Sequence, residues 1–175
     1  MLKKLADIFG VECIVTKIGF KYISELMLTT PILVAGEESG GIAVAGHIPE
    51  RDGVWVGLTI LEFMAKSGKS LTELIQEIYA LVGAFKCDRD DLHLDEAKKQ
   101  AVIKACKDHA FSSFGPYKIE SMEDMDGYKF LFGFDQWVMV RPSGTEPVLR
   151  VYAQAADSQK VRALLDAAKG ALLSV

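Results

Sequence analysis

Near Gly83 the patterning of this chain changes, and no single type of layer can bury the apolar residues on both sides of the change. Before it, short apolar runs alternate with helical stretches. Residues 2–9 read as a short amphipathic helix, 11–16 (VECIVT) as a strand, 19–27 as a helix with Ile23, Leu26 and Met27 at helical spacing, and 31–35 (PILVA) as a buried strand. The glycine-rich GEESGG at 36–41 leads into a second apolar run, IAVAG, and then a loop, HIPERDG, that ends at Gly53. Helices are predicted over 54–66 and 71–82. In the second of these Leu71, Leu74, Ile75, Ile78 and Val82 recur at i, i+3, i+4, i+7 and i+11, and Ser70 with Glu73 forms a capping box at its start.

After the change, strands dominate. The pattern predicts strands over 85–94, 117–120, 128–134, 136–141 and 148–155, a helix over 95–107, and a closing helix with Val161, Leu164, Leu165, Ala168 and Leu172 on one stripe. Such a stretch makes an antiparallel sheet with helices on one face, an α+β layer. The expected division is therefore an α/β part over 1–83 and an α+β part over 84–175, with no internal repeat.

Composition narrows the partners. A chain of 175 residues that is 50% hydrophobic has enough apolar residues for real cores. A net charge of −4 opposes a protein that coats a phosphate polymer, so no nucleic-acid partner is expected. Cys13, Cys87 and Cys106 are widely spaced and form no CxxC pair, which fits a reducing cytoplasm rather than a disulfide or zinc framework. No run approaches the roughly 20 apolar residues that cross a bilayer, and the start MLKKLADIFG is broken by Asp7, so neither membrane nor leader is expected.

Three stretches carry candidate chemistry. In VRPSGTEPVLRVYAQA, 140–155, two strand-like runs flank a turn rich in donors. Arg141 offers a planar fork for two phosphate oxygens, Ser143 and Thr145 add hydroxyls, and Gly144 lets backbone N–H groups come close to an anion. The same residues would also serve a plain polar turn in which Ser143 and Thr145 satisfy local backbone groups. In GEESGG, Glu37 and Ser39 lie on one side and Glu38 on the other. An ionised carboxylate only accepts hydrogen bonds, so with a serine hydroxyl it suits a polyol such as a sugar; a solvated turn is the plainer reading, and a divalent metal on the two adjacent acids is the minor alternative, since no further ligands stand nearby. In TKIGFKYI, Lys17 and Lys21 bracket Gly19 at the mouth of a helix, where an anion can bind or where lysines are simply surface charges. His47, His93 and His109 share no ligand spacing and read as unpaired, with His47 kept in reserve because it follows the acidic loop; no metal ligands are expected in this chain.

Taken in order, GFK, GEESGG, a DG that opens a helix, and RPSGTEPxLR resemble the α-D-phosphohexomutase superfamily of phosphoglucomutases, phosphomannomutases and phospho-amino-sugar mutases. The resemblance spans nearly the whole chain. It implies most of the third domain of a four-domain enzyme, a partial three-layer α/β domain with a mixed sheet, followed by the fourth, an α+β domain of the TATA-binding-protein-like kind. It implies further that Glu37 and Ser39 bind sugar hydroxyls, that Arg141, Ser143, Gly144 and Thr145 cradle the non-reacting phosphate of a hexose phosphate, and that Lys17, Lys21 or His47 adds a contact. Members transfer a phosphoryl group from a phosphoserine and pass through a hexose 1,6-bisphosphate such as glucose 1,6-bisphosphate.

The family's serine loop, of TxSHNP type, and its magnesium loop, of DGDxDR type, do not occur in this sequence. The resemblance therefore implies a catalytically inactive C-terminal piece that depends on N-terminal domains of the same protein for the serine and for Mg2+. It also implies that the chain starts inside the third domain, with an opening strand missing. Many phosphomannomutases and amino-sugar mutases carry histidine after GExSG, whereas this chain has Gly41. Glycine there resembles glucose-preferring members and sets phosphoglucomutase as the expected activity, with phosphomannomutase, phosphoglucosamine mutase or a non-catalytic phosphosugar-binding module as alternatives.

Overall fold

The structure, a computed structural model, describes residues 1–37, 39–133, 135–143 and 147–175. It forms two compact units, Met1–Val82 and Gly83–Val175. The first is α/β; the second is built on a five-stranded antiparallel sheet with helices.

The first unit runs α1 (Leu2–Phe9), α2 (Phe20–Thr29), β1 (Val34–Gly36), β2 (Ile42–Val44), α3 (Gly53–Ser67) and α4 (Leu71–Val82). Two of its helices, α3 and α4, start where a side chain supplies an acceptor for their orphan N–H groups. The Asp52 carboxylate accepts from the N–H groups of Val54 and Trp55 at 3.0 and 2.9 Å, which opens α3. At α4, Ser70 N–H donates to Glu73 at 2.8 Å and Glu73 N–H donates back to the Ser70 hydroxyl at 3.3 Å, the reciprocal box that the sequence predicts. A small core of Phe20, Ile23 and Ala43, with Met27 and Ala35 against it, joins α2 to the hairpin of β1 and β2.

Two strand expectations need correction here. Residues 11–16 form no strand, because no described strand lies beside them to pair their backbone groups, and Val11, Ile14 and Val15 stay exposed. The 31–35 run pairs only from Val34 onward, and it is not buried: Leu33 and Val34 are exposed, since the sheet they join has two strands, and only Ala35 faces the small core.

The second unit runs β3 (Lys86–His93), α5 (Glu96–Lys107), β4 (Ser113–Phe114), β5 (Tyr117–Lys118), β6 (Ser121–Glu123), β7 (Tyr128–Leu131), β8 (Trp137–Pro142), β9 (Val148–Ala155) and α6 (Ser158–Leu173). The sheet order is β3-β9-β8-β7-β6, all antiparallel. Alternation along β9 sends Leu149, Val151, Ala153 and Ala155 to one face, and the register places Val138 and Val140 of β8 beside them. That face packs on Val102 and Cys106 of α5 and on the whole predicted stripe of α6, Val161 to Leu172. Each such aliphatic side chain removed from water contributes about 1.5–3 kcal/mol before entropy is counted.

Two boundaries differ from the sequence reading. Within 117–120 the strand β5 covers only Tyr117 and Lys118, paired with β4, while Glu120 N–H donates to the Leu131 carbonyl and leads into the edge strand Ser121–Glu123, which three residues of alternation are too few to announce. In the 128–134 run the strand ends at Leu131, Phe132 N–H still donates to the Gln136 carbonyl at 3.0 Å, Gly133 turns the chain with a φ of 77°, and Phe134 lies outside the described residues.

Candidate functional site

In the second unit the donor-rich turn sits between β8 and β9. The register sets Arg141 directly opposite Arg150 on the sheet face away from the core. On its other side Arg150 stands in register with Asp91 of β3, so this row of the sheet holds a carboxylate beside the two guanidinium groups. The Arg141 guanidinium enters none of the ion pairs among the described residues. Ser143 is buried, and its N–H donates to the Val148 carbonyl at 2.9 Å, closing the neck of the turn. On the other limb Leu94 N–H donates to the Pro147 carbonyl at 3.4 Å. Gly144 and Thr145 lie outside the described residues.

In the first unit GEESGG is the tight connection from β1 to β2. Glu37 N–H donates to the Gly41 carbonyl at 2.9 Å, and Gly40 N–H donates to the Glu37 carbonyl at 3.0 Å. Among the described residues the Glu37 carboxylate has two partners. One oxygen accepts from Gly19 N–H at 3.2 Å, and the other faces the Arg51 guanidinium at 3.3 Å. Gly19 caps α2 with φ 128°, a conformation only glycine takes readily, so the protein's own carboxylate occupies this helix N-terminus. Each carboxylate oxygen keeps a further lone pair, which leaves Glu37 able to accept from sugar hydroxyls while held in place. Ser39 is exposed at the tip of the turn.

The remaining candidates separate. Lys17 is exposed, and the Lys21 ammonium lies over the Tyr22 ring at 4.7 Å. His47 is not unpaired: it hydrogen-bonds to Asp52 at 2.9 Å and stacks on Trp55 with ring centroids 4.5 Å apart. The tertiary turn of HIPERDG brings these groups together, which histidine spacing alone could not reveal. Asp52 is held below the usual carboxylate range, first by the Trp55 N–H and then by His47.

Arg51 is the residue that sequence reasoning missed. Besides Glu37 it lies over the Phe20 ring at 5.3 Å, and a Cβ on Gly41 would stand 3.0 Å from its Cδ. Gly41 thus makes room for Arg51 to reach across the loop. The clue was available in the chain, a single basic residue in the loop after a bare glycine, but nothing in the spacing tied the two together.

Residues 1–82 match the phosphoglucomutase/phosphomannomutase α/β/α domain III, and residues 85–171 match the C-terminal domain of that same family. The chain belongs to the phosphoglucomutase/phosphomannomutase family. Among its relatives, a phosphoglucomutase/phosphomannomutase of Thermococcus kodakarensis is 33% identical over 95% of this chain and 34% of its own length. A phosphoglucosamine mutase of Rubrobacter xylanophilus is 31% identical over 97% of the chain and 34% of its own length. A crystal structure from Thermus thermophilus, provisionally named a phosphomannomutase, superposes with a TM-score of 0.75 at 31% identity, covering 98% of this chain and 33% of the other. This family member thus spans about a third of the length of the curated relatives it matches.

Among the described residues no group of three His, Cys, Asp or Glu side chains is placed to hold a metal ion. No described helix is long and apolar enough to cross a membrane.

Proposed function

We propose that this chain is the substrate-recognition part of a phosphohexomutase that interconverts hexose 1-phosphates and hexose 6-phosphates. The observation that carries the reading is the neck of the donor-rich turn, where the Arg141 guanidinium is uncommitted among the described residues and faces the same side of the sheet as Arg150. In this reading Arg141, Ser143, Gly144 and Thr145 hold the phosphate that is not reacting. Glu37 and Ser39 accept and donate to sugar hydroxyls, and Lys17, Lys21 or His47 adds a contact.

The reaction assigned to the family demands that one site take the sugar in two opposed poses, because the 1,6-bisphosphate reorients between two phosphoryl transfers. A fixed phosphate cradle plus acceptors for a pair of neighbouring hydroxyls meets that demand, since exchanging the ends of the sugar roughly exchanges those hydroxyls. Positioning supplies much of the rate in such chemistry, and binding energy from the remote phosphate orients the reacting end. We place the phosphoserine and Mg2+ on other domains of the same protein, working in the cytoplasm, and run no step through this chain's carboxylates as metal ligands.

Glucose phosphates are our first choice of substrate because Gly41 stands where other members carry histidine. The names of the relatives support mannose and glucosamine phosphates equally well. Calorimetric titration of the 175-residue chain with glucose 1-phosphate, mannose 1-phosphate and glucosamine 1-phosphate tests both levels. Arg141→Ala is expected to weaken every ester by about 10-fold or more, the worth of charged hydrogen bonds of about 1.5–3 kcal/mol. Unchanged affinity in that variant removes the phosphate assignment, and a uniform ranking of the three sugars removes the role of Gly41. The unaltered chain mixed with glucose 1-phosphate and glucose 1,6-bisphosphate is expected to form no glucose 6-phosphate; turnover would show that the chain carries its own catalytic group.

A further inference from the structure

Beneath the turn lies a buried charge that the proposed chemistry does not use. Lys99 of α5 keeps only 9% of its side-chain surface exposed, and its ammonium donates to the Ser143 carbonyl at 3.2 Å. Glu96, one turn earlier and mostly exposed, stands 3.8 Å away. Burying an ammonium is costly unless it answers to a specific acceptor. Position 99 shares the inward stripe of α5 with Val102, Ala105 and Cys106, where an apolar side chain would satisfy packing alone. Its lysine is explained by what it touches.

We infer that Lys99 is a positioning residue for the phosphate-binding turn, acting through the Ser143 backbone; the inference rests on the reading of that turn given above. The geometry holds Ser143 at both ends of its backbone, by the N–H to Val148 and by the carbonyl to Lys99. The opposite limb is held by Leu94 N–H on the Pro147 carbonyl. Both grips come from one short segment, the end of β3 and the first turns of α5. The Asp95 carboxylate fixes that segment by accepting from Lys98 N–H at 2.8 Å. Holding Ser143 and Pro147 at the two ends of the turn reduces the ordering that binding an anion there would demand. The lysine also places a buried positive charge against the Ser143 backbone at the neck of the turn.

The test is titration of the 175-residue chain with inorganic phosphate, with thermal melting as a check on folding. Lys99→Met, close in shape and without a donor, is expected to weaken phosphate binding about 5- to 10-fold. Lys99→Arg, which restores charge and donors, is expected to return it to within about twofold. A folded Lys99→Met that binds like the unaltered chain overturns the inference, as does a folded Lys99→Arg that rescues nothing. Should Lys99→Met fail to fold, the nitrogen resonance of the Lys99 ammonium in the unaltered chain decides: it must shift on phosphate addition, and a signal that stays put overturns the role. Arg141→Ala separates the two levels. If it too binds phosphate normally, the turn is not the phosphate site; if it loses binding while Lys99→Met does not, only the role of Lys99 falls.

Discussion

Helices α3 and α6 are both apolar enough along their length to be buried, and they meet opposite fates. In α6 the stripe Val161, Leu164, Leu165, Ala168 and Leu172 is removed from water against a five-stranded sheet. In α3 no residue is buried, and Val54, Leu58, Leu61 and Phe63 all stand exposed. The difference lies in what the chain supplies as a partner layer. The second unit has strands enough to make a continuous apolar face, whereas the first has a two-stranded hairpin that covers Phe20, Ile23 and little more. Amphipathic pattern makes a helix; a facing layer makes a core.

Core substitutions should break the symmetry between the units most strongly. Leu164→Ala, at a position with no exposed surface, is expected to destabilise the second unit by about 2–5 kcal/mol. Leu58→Ala, 57% exposed, is expected to change the first unit by no more than about 0.5 kcal/mol. Trp55 and Trp137, one in each unit, allow urea unfolding of each to be followed by fluorescence in variants that keep only one tryptophan. Equal costs at the two positions would end the comparison. The Cys106 thiol, pushed up to about 12 by burial, offers a second probe: it should resist alkylation until the second unit unfolds, while exposed Cys13 and Cys87 react at once.

A smaller effect is expected in the first unit's loop. Glu37→Gln removes the ion pair with Arg51 but should leave the fold standing, because a pair with so exposed a partner contributes at most about 1 kcal/mol. Hexose phosphate affinity should fall while the thermal midpoint hardly moves; a melted first unit would show that Glu37 is structural. Gly41→His is expected to push Arg51 off Glu37, since its Cβ alone comes within 3.0 Å of the arginine chain, and to change the order of preference among the sugar phosphates.

The smallest expected effect is in acid. Asp90 lies below the usual carboxylate range, mainly through its hydrogen bond to Arg162 and against some desolvation. A depressed folded value means that its contribution is fully present above the unfolded value of about 3.9 and is lost as the pH falls through the lower folded one. Asp90→Asn should therefore flatten the acid limb of the second unit's stability curve and leave the first unit's unchanged. Asp52, depressed by the Trp55 N–H and by His47, gives the first unit a limb of the same sign, which Asp52→Asn should flatten instead.

The comparison also explains what could be read in advance. The capping box at Ser70 and Glu73, the stripe of α6 and the alternation of Val148–Ala155 depend on neighbours within a few residues, and all three appear as the pattern requires. Residues 11–16 and 31–35 have the composition of strands as well, yet the first pairs with nothing described and the second only over its end. A strand is a relation between two segments, and only one of them is visible in a local pattern. The motifs GEESGG and RPSGTEP marked the candidate site for the same local reason, while Arg51 and Lys99, each distant in sequence from the loop it touches, did not announce themselves.

Periodicity, caps and the two glycine-rich signatures were enough to establish the helices, the antiparallel hairpin around the donor-rich turn and the family, because each is written in short-range spacing. Folding decided the rest: that Arg141 faces Arg150, that Glu37 is shared between Gly19 and Arg51, and that a lysine inside α5 holds the Ser143 carbonyl. Those relations exist only once a sheet register or a loop closure has set the partners beside one another, and no local spacing states them.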